Sequence, residues 1–224
     1  MVISDQTKQE SPLQFRKLDP EGLKTLVAWA SEEGWNPGTH DAGLFWAADP
    51  EGFYGYFMGD RLVAGGSVVS YNGLFGFMGF FMVLPAFRAR GIGRRLWYRR
   101  RDLLLLRLNP GAAIGMEGVV SMQPFYGKGG FEMSFRDELY ELAGSAFAVD
   151  PNISPVGEED HAQVLALDRQ CFGFPRPQFL IPWLKAPNAQ TFKYASDGVL
   201  EGFAVVRTVL PRHPGGQFCS PGVG

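Results

Sequence analysis

Between Leu84 and Leu96 the sequence runs LPAFRARGIGRRL, a stretch whose residue types and spacing could do chemistry. Arg88-x-x-Gly91-x-Gly93 stands between an apolar run that reads as a strand and a run that reads as a helix. Glycines at such a junction let backbone N–H groups approach an anion closely, and a helix N-terminus adds its partial positive charge. Arg88, Arg90, Arg94 and Arg95 bring formal charge to the same point. Residues 88–107 hold eight arginines against one acid, Asp102, although the whole chain carries a net charge of −2. A local basic segment on an acidic protein suits a compact polyanion such as a diphosphate. Charge and spacing alone leave two blander alternatives open: a solvated arginine face and a glycine-rich helix start. Two other phosphate loops are excluded. A dinucleotide fingerprint needs Gly or Ala where Leu96 stands, and a Walker loop needs Gly-Lys-Ser/Thr.

The rest of the composition narrows the class. Cys171 and Cys219 are too few for a disulfide framework, and they share no metal-ligand spacing with His40, His161 and His213. No metal is expected. The negative net charge argues against a general nucleic-acid binder. No basic-then-apolar leader opens the sequence, and no run approaches the roughly 18 apolar residues of a membrane span. The expectation is a soluble, cytoplasmic protein. Glycine is abundant, 29 of 224 residues, which predicts tight turns or close backbone approaches.

The elements that must position the loop follow from periodicity. Residues 1–11 read as a loose tail and Leu13–Leu18 as a first strand. Asp19 is placed to cap a helix with Leu23, Leu26, Val27 and Ala30 on one stripe, ended by Gly34. A second short helix is expected at 40–48. Strands follow at 52–58, 61–71 and 74–84, turned by Gly59-Asp60 and Asn72-Gly73. A helix over 91–108, with Ile92, Leu96, Leu103 and Leu106 on one side, precedes a buried strand at 112–119. A short helix at 121–128 and a last strand at 131–142 complete a β-α-α-β-β-β-α-β-α-β order. That order is an α/β (α+β) mixed sheet with helices on both faces.

From about residue 149 the first half of this order repeats: a strand near 153–156, helices at 158–171 and 176–185, and strands at 190–196 and 199–209. LVAGGSVV (62–69) aligns without a gap to VLEGFAVV (199–206). The expected organisation is a tail 1–11, a unit 12–148 and a partial second unit 149–224. The sequence past Leu210, rich in Pro and Gly, offers no fourth strand or glycine loop, so no phosphate site is expected there. The edge of the second hairpin is expected to pack on the first unit or on a second copy of the chain.

The loop, its position after the fourth strand, and PFYGKGGF at 124–131 together resemble the GNAT superfamily of N-acetyltransferases. Residues 88–93 match its Q/R-x-x-G-x-G/A acyl-CoA loop in full. Tyr126, Lys128, Gly130 and Phe131 stand in register with its Y-x-K-x-G-F element. The resemblance covers about residues 12–143 and extends to tandem GNAT proteins.

It implies the GNAT acyl-CoA N-acyltransferase fold, with acetyl-CoA as co-substrate and an amine of a small molecule or protein as acceptor. Backbone amides of Arg88, Ala89, Arg90, Gly91, Ile92 and Gly93 would hold the diphosphate, with Arg94 and Arg95 adjoining. The strand end Met82, Val83, Leu84 would face the pantetheine and polarise the thioester carbonyl. Residues 80–84 and 114–118 should diverge to admit it. Tyr126 would be the general acid. Glu117, which interrupts an apolar strand beside that cleft, is the chosen base, and burial should raise its pKa. Asp41 and His40 are weaker candidates. Trp35, Phe45, Trp46 and Tyr71 could line an acceptor pocket. The contrasting function is an acyl-CoA sensor or scaffold without turnover, and a homodimer is possible.

Overall fold

The structure, a computed structural model, describes residues 12–138, 140, 142, 143, 146 and 148–210. The expected tail 1–11 and all residues past 210 lie outside the described residues. Strands β1 (Leu13–Lys17), β2 (Phe53–Met58), β3 (Arg61–Tyr71), β4 (Phe75–Val83) and β5 (Ala113–Gly115) lie side by side in chain order. All neighbours are antiparallel except β4 and β5, which run parallel.

Helix α1 (Pro20–Glu32) starts where Asp19 accepts a bond from Gly22 N (2.8 Å) and Pro20 pre-sets the first turn. Its stripe, Leu23, Leu26, Val27 and Ala30, is buried as the periodicity predicts. Helix α3 (Ile92–Leu105) covers the other face of the sheet. Two adjacent glycines of β3 show the layering. A Cβ on Gly65 would meet Leu26 of α1 at 2.6 Å, and one on Gly66 would meet Arg100 of α3 at 1.8 Å.

Three expectations about this unit are corrected. The buried stripe of α3 is Ile92, Leu96, Trp97, Arg100 and Leu104, whereas Leu106 is 83% exposed. The helix is thus turned so that an arginine, not Leu103 or Leu106, faces the sheet. The fifth strand is three residues long rather than spanning 112–119. Residues 131–142 form no strand among the described residues, and Met133, Phe135, Tyr140 and Leu142 are exposed. Its expected neighbour β5 offers only a short edge, and Glu132, Arg136, Asp137 and Glu138 break the apolar alternation that would hold a strand against a core.

The second unit has β6 (Ile153–Pro155), β7 (Ala189–Ser196) and β8 (Val199–Arg207) in one antiparallel sheet. Helices α5 (His161–Phe172) and α6 (Pro177–Leu184) bury Val164, Leu180 and Leu184 against Phe203 and Val205. Its hairpin copies that of β2–β3 in detail. Both turn on two residues, Gly59-Asp60 and Asp197-Gly198, and both carry a bulge two residues into the returning strand, at Val63 and Glu201. This geometry shifts the sequence alignment by one: Leu62 corresponds to Leu200, Ala64 to Gly202 and Gly66 to Ala204. A gapless match of glycines picks the wrong register because the shared feature is backbone shape, not residue identity.

The units join along one side. Helix α2 (Asp41–Ala48) packs on α6, where Phe45 stacks on Trp183 at 6.4 Å. Phe174 stacks on Phe75 at 4.4 Å. The chain leaving β8 pairs with the loop before α2: Gly38 bridges Val209, and Leu210 N donates to Pro37 O at 2.8 Å. Arg207 Nη1 donates to both oxygens of Asp41, at 2.9 and 3.1 Å.

Candidate active site

Strands β4 and β5 pair only from Phe75↔Ala113 to Phe77↔Gly115. Beyond Phe77 the ladder ends and leaves a notch in the sheet, with the later residues of β4 and residues 116–118 unpaired across it, whereas Ile114 and Gly115, expected to diverge, still pair. On its other edge β4 carries a bulge. Gly65 faces Met82 and Ser67 faces Gly79, so β4 has one residue more than β3 across this step. Phe80 accommodates it at φ +48°, a conformation that costs a side-chain-bearing residue about 1–3 kcal/mol.

Past the bulge, Leu84 N donates to Val63 O at 3.0 Å. By the alternation of an antiparallel strand, the N–H and C=O of Val83 then face the notch. Arg88 Nε takes that carbonyl at 2.8 Å, which leaves the Val83 N–H as the main-chain donor on the open side. Met82 is buried under α1 and serves the core.

The glycine loop enters α3 with two left-handed residues, Ala89 (φ +59°) and Gly91 (φ +74°). Gly91 is the N-cap and has no side chain to satisfy the first turn. Helix geometry leaves the N–H groups of Ile92, Gly93 and Arg94 without intrahelical acceptors, and together they form a concave donor set suited to an anion. A Cβ on Gly91 would meet nothing within 4 Å, so the space over the loop is open.

The basic segment is less free than its composition suggests. Arg88 pairs with Glu33 (2.6 Å), Arg101 with Asp102 (2.7 Å) and Arg107 with Asp49 (2.7 Å). Arg90, Arg94, Arg95 and Arg99 lie over the rings of Phe87, Tyr98, Tyr56 and Phe15. Arg94, Arg95 and Arg99 line an open groove of about 570 Å³ that continues from the loop along α3.

Helix α4 (Gln123–Lys128) carries Tyr126 as its buried residue. Its ring stacks on Trp97 at 5.1 Å and abuts Gly118, where a Cβ would come within 2.6 Å of the ring. Burial raises the phenol's pKa, and the charge of Arg100 opposes that rise. Glu117, half-buried in the segment after β5, sits next to Gly118. Burial first, and the nearby Asp137 second, push its pKa up to about 7. The acid and base candidates thus sit on adjoining segments, Glu117 next to the glycine that the Tyr126 ring covers.

The other sequence candidates separate. Asp41 is buried and committed: its carboxylate accepts from Arg207 and from Gly38 N (2.8 Å). It ties the loop before α2 to the start of that helix and fastens the second unit. His40 is exposed and faces Asn188 of the second unit at 3.3 Å. Trp35 and Phe45 both reach the bulge residue Phe80, at ring distances of 6.5 and 5.7 Å. Trp46 instead packs on Phe53 in the core, and Tyr71 lies between the units against Phe174.

Sequence reasoning missed Arg100. It was counted with the surface charge, yet it is fully buried, with Nη1 donating to Ser67 O (2.9 Å) and Gly79 O (2.8 Å). Spacing by fours, Ile92-Leu96-Arg100-Leu104, was the signal that could have found it. Among the described residues no group of three or more His, Cys, Asp or Glu could hold a metal, and no helix is long and apolar enough to cross a membrane.

Two stretches of the chain match acetyltransferase family models. Residues 21–113 match the Acetyltransferase (GNAT) family, and residues 164–213 match an Acetyltransferase (GNAT) domain. A holothin acyltransferase from Pseudoalteromonas sp. (strain SANK 73390) is 29% identical over 182 residues, which is 80% of this chain and 60% of the relative. The chain thus spans 60% of that relative's length. A candidate acetyltransferase from Pyrococcus horikoshii superposes with a TM-score of 0.72 at 19% identity, over 92% of this chain and 71% of its own. At that identity the likeness is one of fold.

Proposed function

We propose, for a chain that belongs to the GNAT superfamily of acetyltransferases, that it transfers an acetyl group from acetyl-CoA to an amine. The observation that supports this most is the notch between β4 and β5, with the donor loop 88–93 opening near it. The N–H groups of Ile92, Gly93 and Arg94 hold the diphosphate, with charge from Arg94 and Arg95 alongside. The Val83 N–H donates to the thioester carbonyl oxygen, where negative charge grows as the amine attacks.

Glu117 takes the proton the amine must lose; a carboxyl with a pKa of about 7 is half ionised near neutrality and suits that task. As the carbon–nitrogen bond forms and the carbon–sulfur bond breaks, Tyr126 passes its phenolic proton to the leaving thiolate. Trp35, Phe45 and Phe80 provide an apolar wall on the acceptor side. The relative named for acylating holothin is consistent with acyl transfer as the reaction class.

Gly93→Val tests the cofactor assignment. A Cβ at Gly93 meets only Val83 Cγ2 at 3.4 Å and Phe81 Cζ at 3.6 Å, ordinary contacts, so the variant should fold. Calorimetry should show its acetyl-CoA affinity lost; unchanged affinity removes the assignment. Thiol release against a panel of amines then reads turnover. Tyr126→Phe should lower kcat by about 10²–10⁴-fold with little change in acetyl-CoA affinity. With wild-type protein kcat/KM should rise with pH through a limb near 7, which Glu117→Gln abolishes. Tight acetyl-CoA binding without turnover of any amine would favour the sensor function.

A further inference from the structure

Arg100 is fully buried, and no carboxylate meets it among the described residues. Its two hydrogen bonds among the described residues both run from Nη1, to Ser67 O and Gly79 O, the carbonyls that flank the β3–β4 bulge. Nε and Nη2, together with Nε1 of neighbouring Trp97, have no partner among the described residues. The sequence makes room for this: Gly66 is where a Cβ would overlap Nη1. Burying a cation without a counter-charge costs several kcal/mol, so structural duty alone is a poor reason to keep one. A leucine on that stripe would pack at no such cost.

The surroundings of Arg100 point to Tyr126. The guanidinium lies 5.1 Å over the ring of Phe81. Phe81 meets Trp97 at 5.6 Å, and Trp97 carries the ring of Tyr126 at 5.1 Å. Apart from the indole N–H of Trp97 this layer is apolar ring surface, so the charge acts through a medium of low dielectric. Other charged groups lie near Tyr126: Glu117 on the adjoining segment and Lys128 on its own helix. The charge of Arg100 opposes the rise in the phenol's pKa that burial causes.

We propose that Arg100 is a positioning residue for acyl transfer, holding the β4 bulge by its Nη1 and stabilising the phenolate that Tyr126 becomes when it protonates the leaving thiolate. This rests on Tyr126 being the general acid. The balance is simple: the O–H proton moves to sulfur, the phenolate keeps the electron pair, and water later restores the proton. Arg100 keeps its charge throughout. Burial lowers its pKa to about 9, which leaves it protonated at neutral pH.

The test separates charge from hydrogen bonding. Arg100→Gln keeps amide donors but no charge, and Arg100→Lys keeps charge but not the fork. Removing the charge makes the phenol a weaker acid, so Arg100→Gln should lower kcat by about tenfold and move the alkaline limb of kcat to higher pH. Arg100→Lys should recover most of both. Ultraviolet difference titration of the phenol, read against Tyr126→Phe, gives the same shift without turnover.

An unmoved titration in folded Arg100→Gln, or equal behaviour of Gln and Lys, overturns the proposal. If Arg100→Gln does not fold, Gly66→Ala displaces the guanidinium and the same titration decides. Failure of the underlying acid assignment looks different: Tyr126→Phe would keep full kcat while the titration still shifts.

Discussion

Arg176 in the second unit and Arg100 in the first are both cut off from water, but among the described residues only Arg176 meets a carboxylate. Arg176 Nε and Nη2 bind Asp168 at 3.0 and 2.8 Å, and its guanidinium stacks 3.3 Å above the ring of Phe172. It also bonds the phenol of Tyr71 from the first unit. That arginine is neutralised, and its role is to fix α5 to α6 and the second unit to the first. Arg100 binds only backbone carbonyls, so its field reaches outward into the aromatic layer behind the notch. The difference teaches how to sort buried charge: a paired one marks a joint, and an unpaired one marks a place where charge is used.

The largest effect expected from this contrast comes from breaking the pair. Asp168→Ala strands Arg176 as an uncompensated buried cation, at a cost of about 3–5 kcal/mol. For a chain of this size that is a melting temperature lower by roughly 6–20 °C. Arg100→Met removes a charge that was never paired and gives up two hydrogen bonds, so its cost should be smaller, about 1–3 kcal/mol. Scanning calorimetry of the two variants orders them. If Arg100→Met is the more damaging, Arg100 is the structural residue and the contrast collapses.

A smaller effect sharpens the same point. Gly66→Ala puts a Cβ within 1.8 Å of Arg100 Nη1 and should destabilise by about 1–3 kcal/mol. In the Arg100→Met background most of that cost should vanish, which a double-mutant cycle measures. The second unit supplies its own control: its equivalent residue is Ala204, which is exposed. Ala204→Gly should therefore change stability by no more than a few tenths of a kcal/mol, the usual cost of Gly in a strand aside. Additive penalties for Gly66→Ala and Arg100→Met would mean that the glycine is there for another reason.

These positions also show where the sequence is legible. Elements set by local rules came through well: the Asp19 cap, the α1 stripe, the Asn72-Gly73 turn and the hairpins of both units lie where periodicity and turn residues put them. Short patterns marked the glycine loop and Tyr126, which the structure places at the start of α3 and in α4. What failed depended on distant neighbours. Residues 131–142 have strand-like composition, but β5 is too short to hold them. The side of α3 that faces the sheet is decided by Gly66 and the β4 bulge, both on other strands of the sheet and far from Arg100 in sequence, so the buried arginine hid among seven others. The repeat was visible, but its register was not, since a bulge adds a residue without leaving a mark in composition.

The smallest effect concerns a third arginine, Arg88, whose pairing resembles that of Arg176 in distance but not in setting. Its contact with Glu33 is short, 2.6 Å, yet both side chains are about half exposed. Water screens such a pair, and ordering two long side chains offsets part of the attraction, so the coupling should be about 0–1 kcal/mol. Glu33→Ala should shift the melting temperature by no more than about 4 °C. The remaining effect should shrink as salt rises towards molar concentrations. Arg88 would still hold Val83 O through Nε, so the notch end of β4 should keep its shape and acetyl-CoA affinity should change less than about threefold. A double-mutant cycle of Arg88→Ala and Glu33→Ala gives the coupling directly. A value above about 2 kcal/mol would show that α1 locks the start of the cofactor loop. Distance alone would then rank these arginines better than burial does.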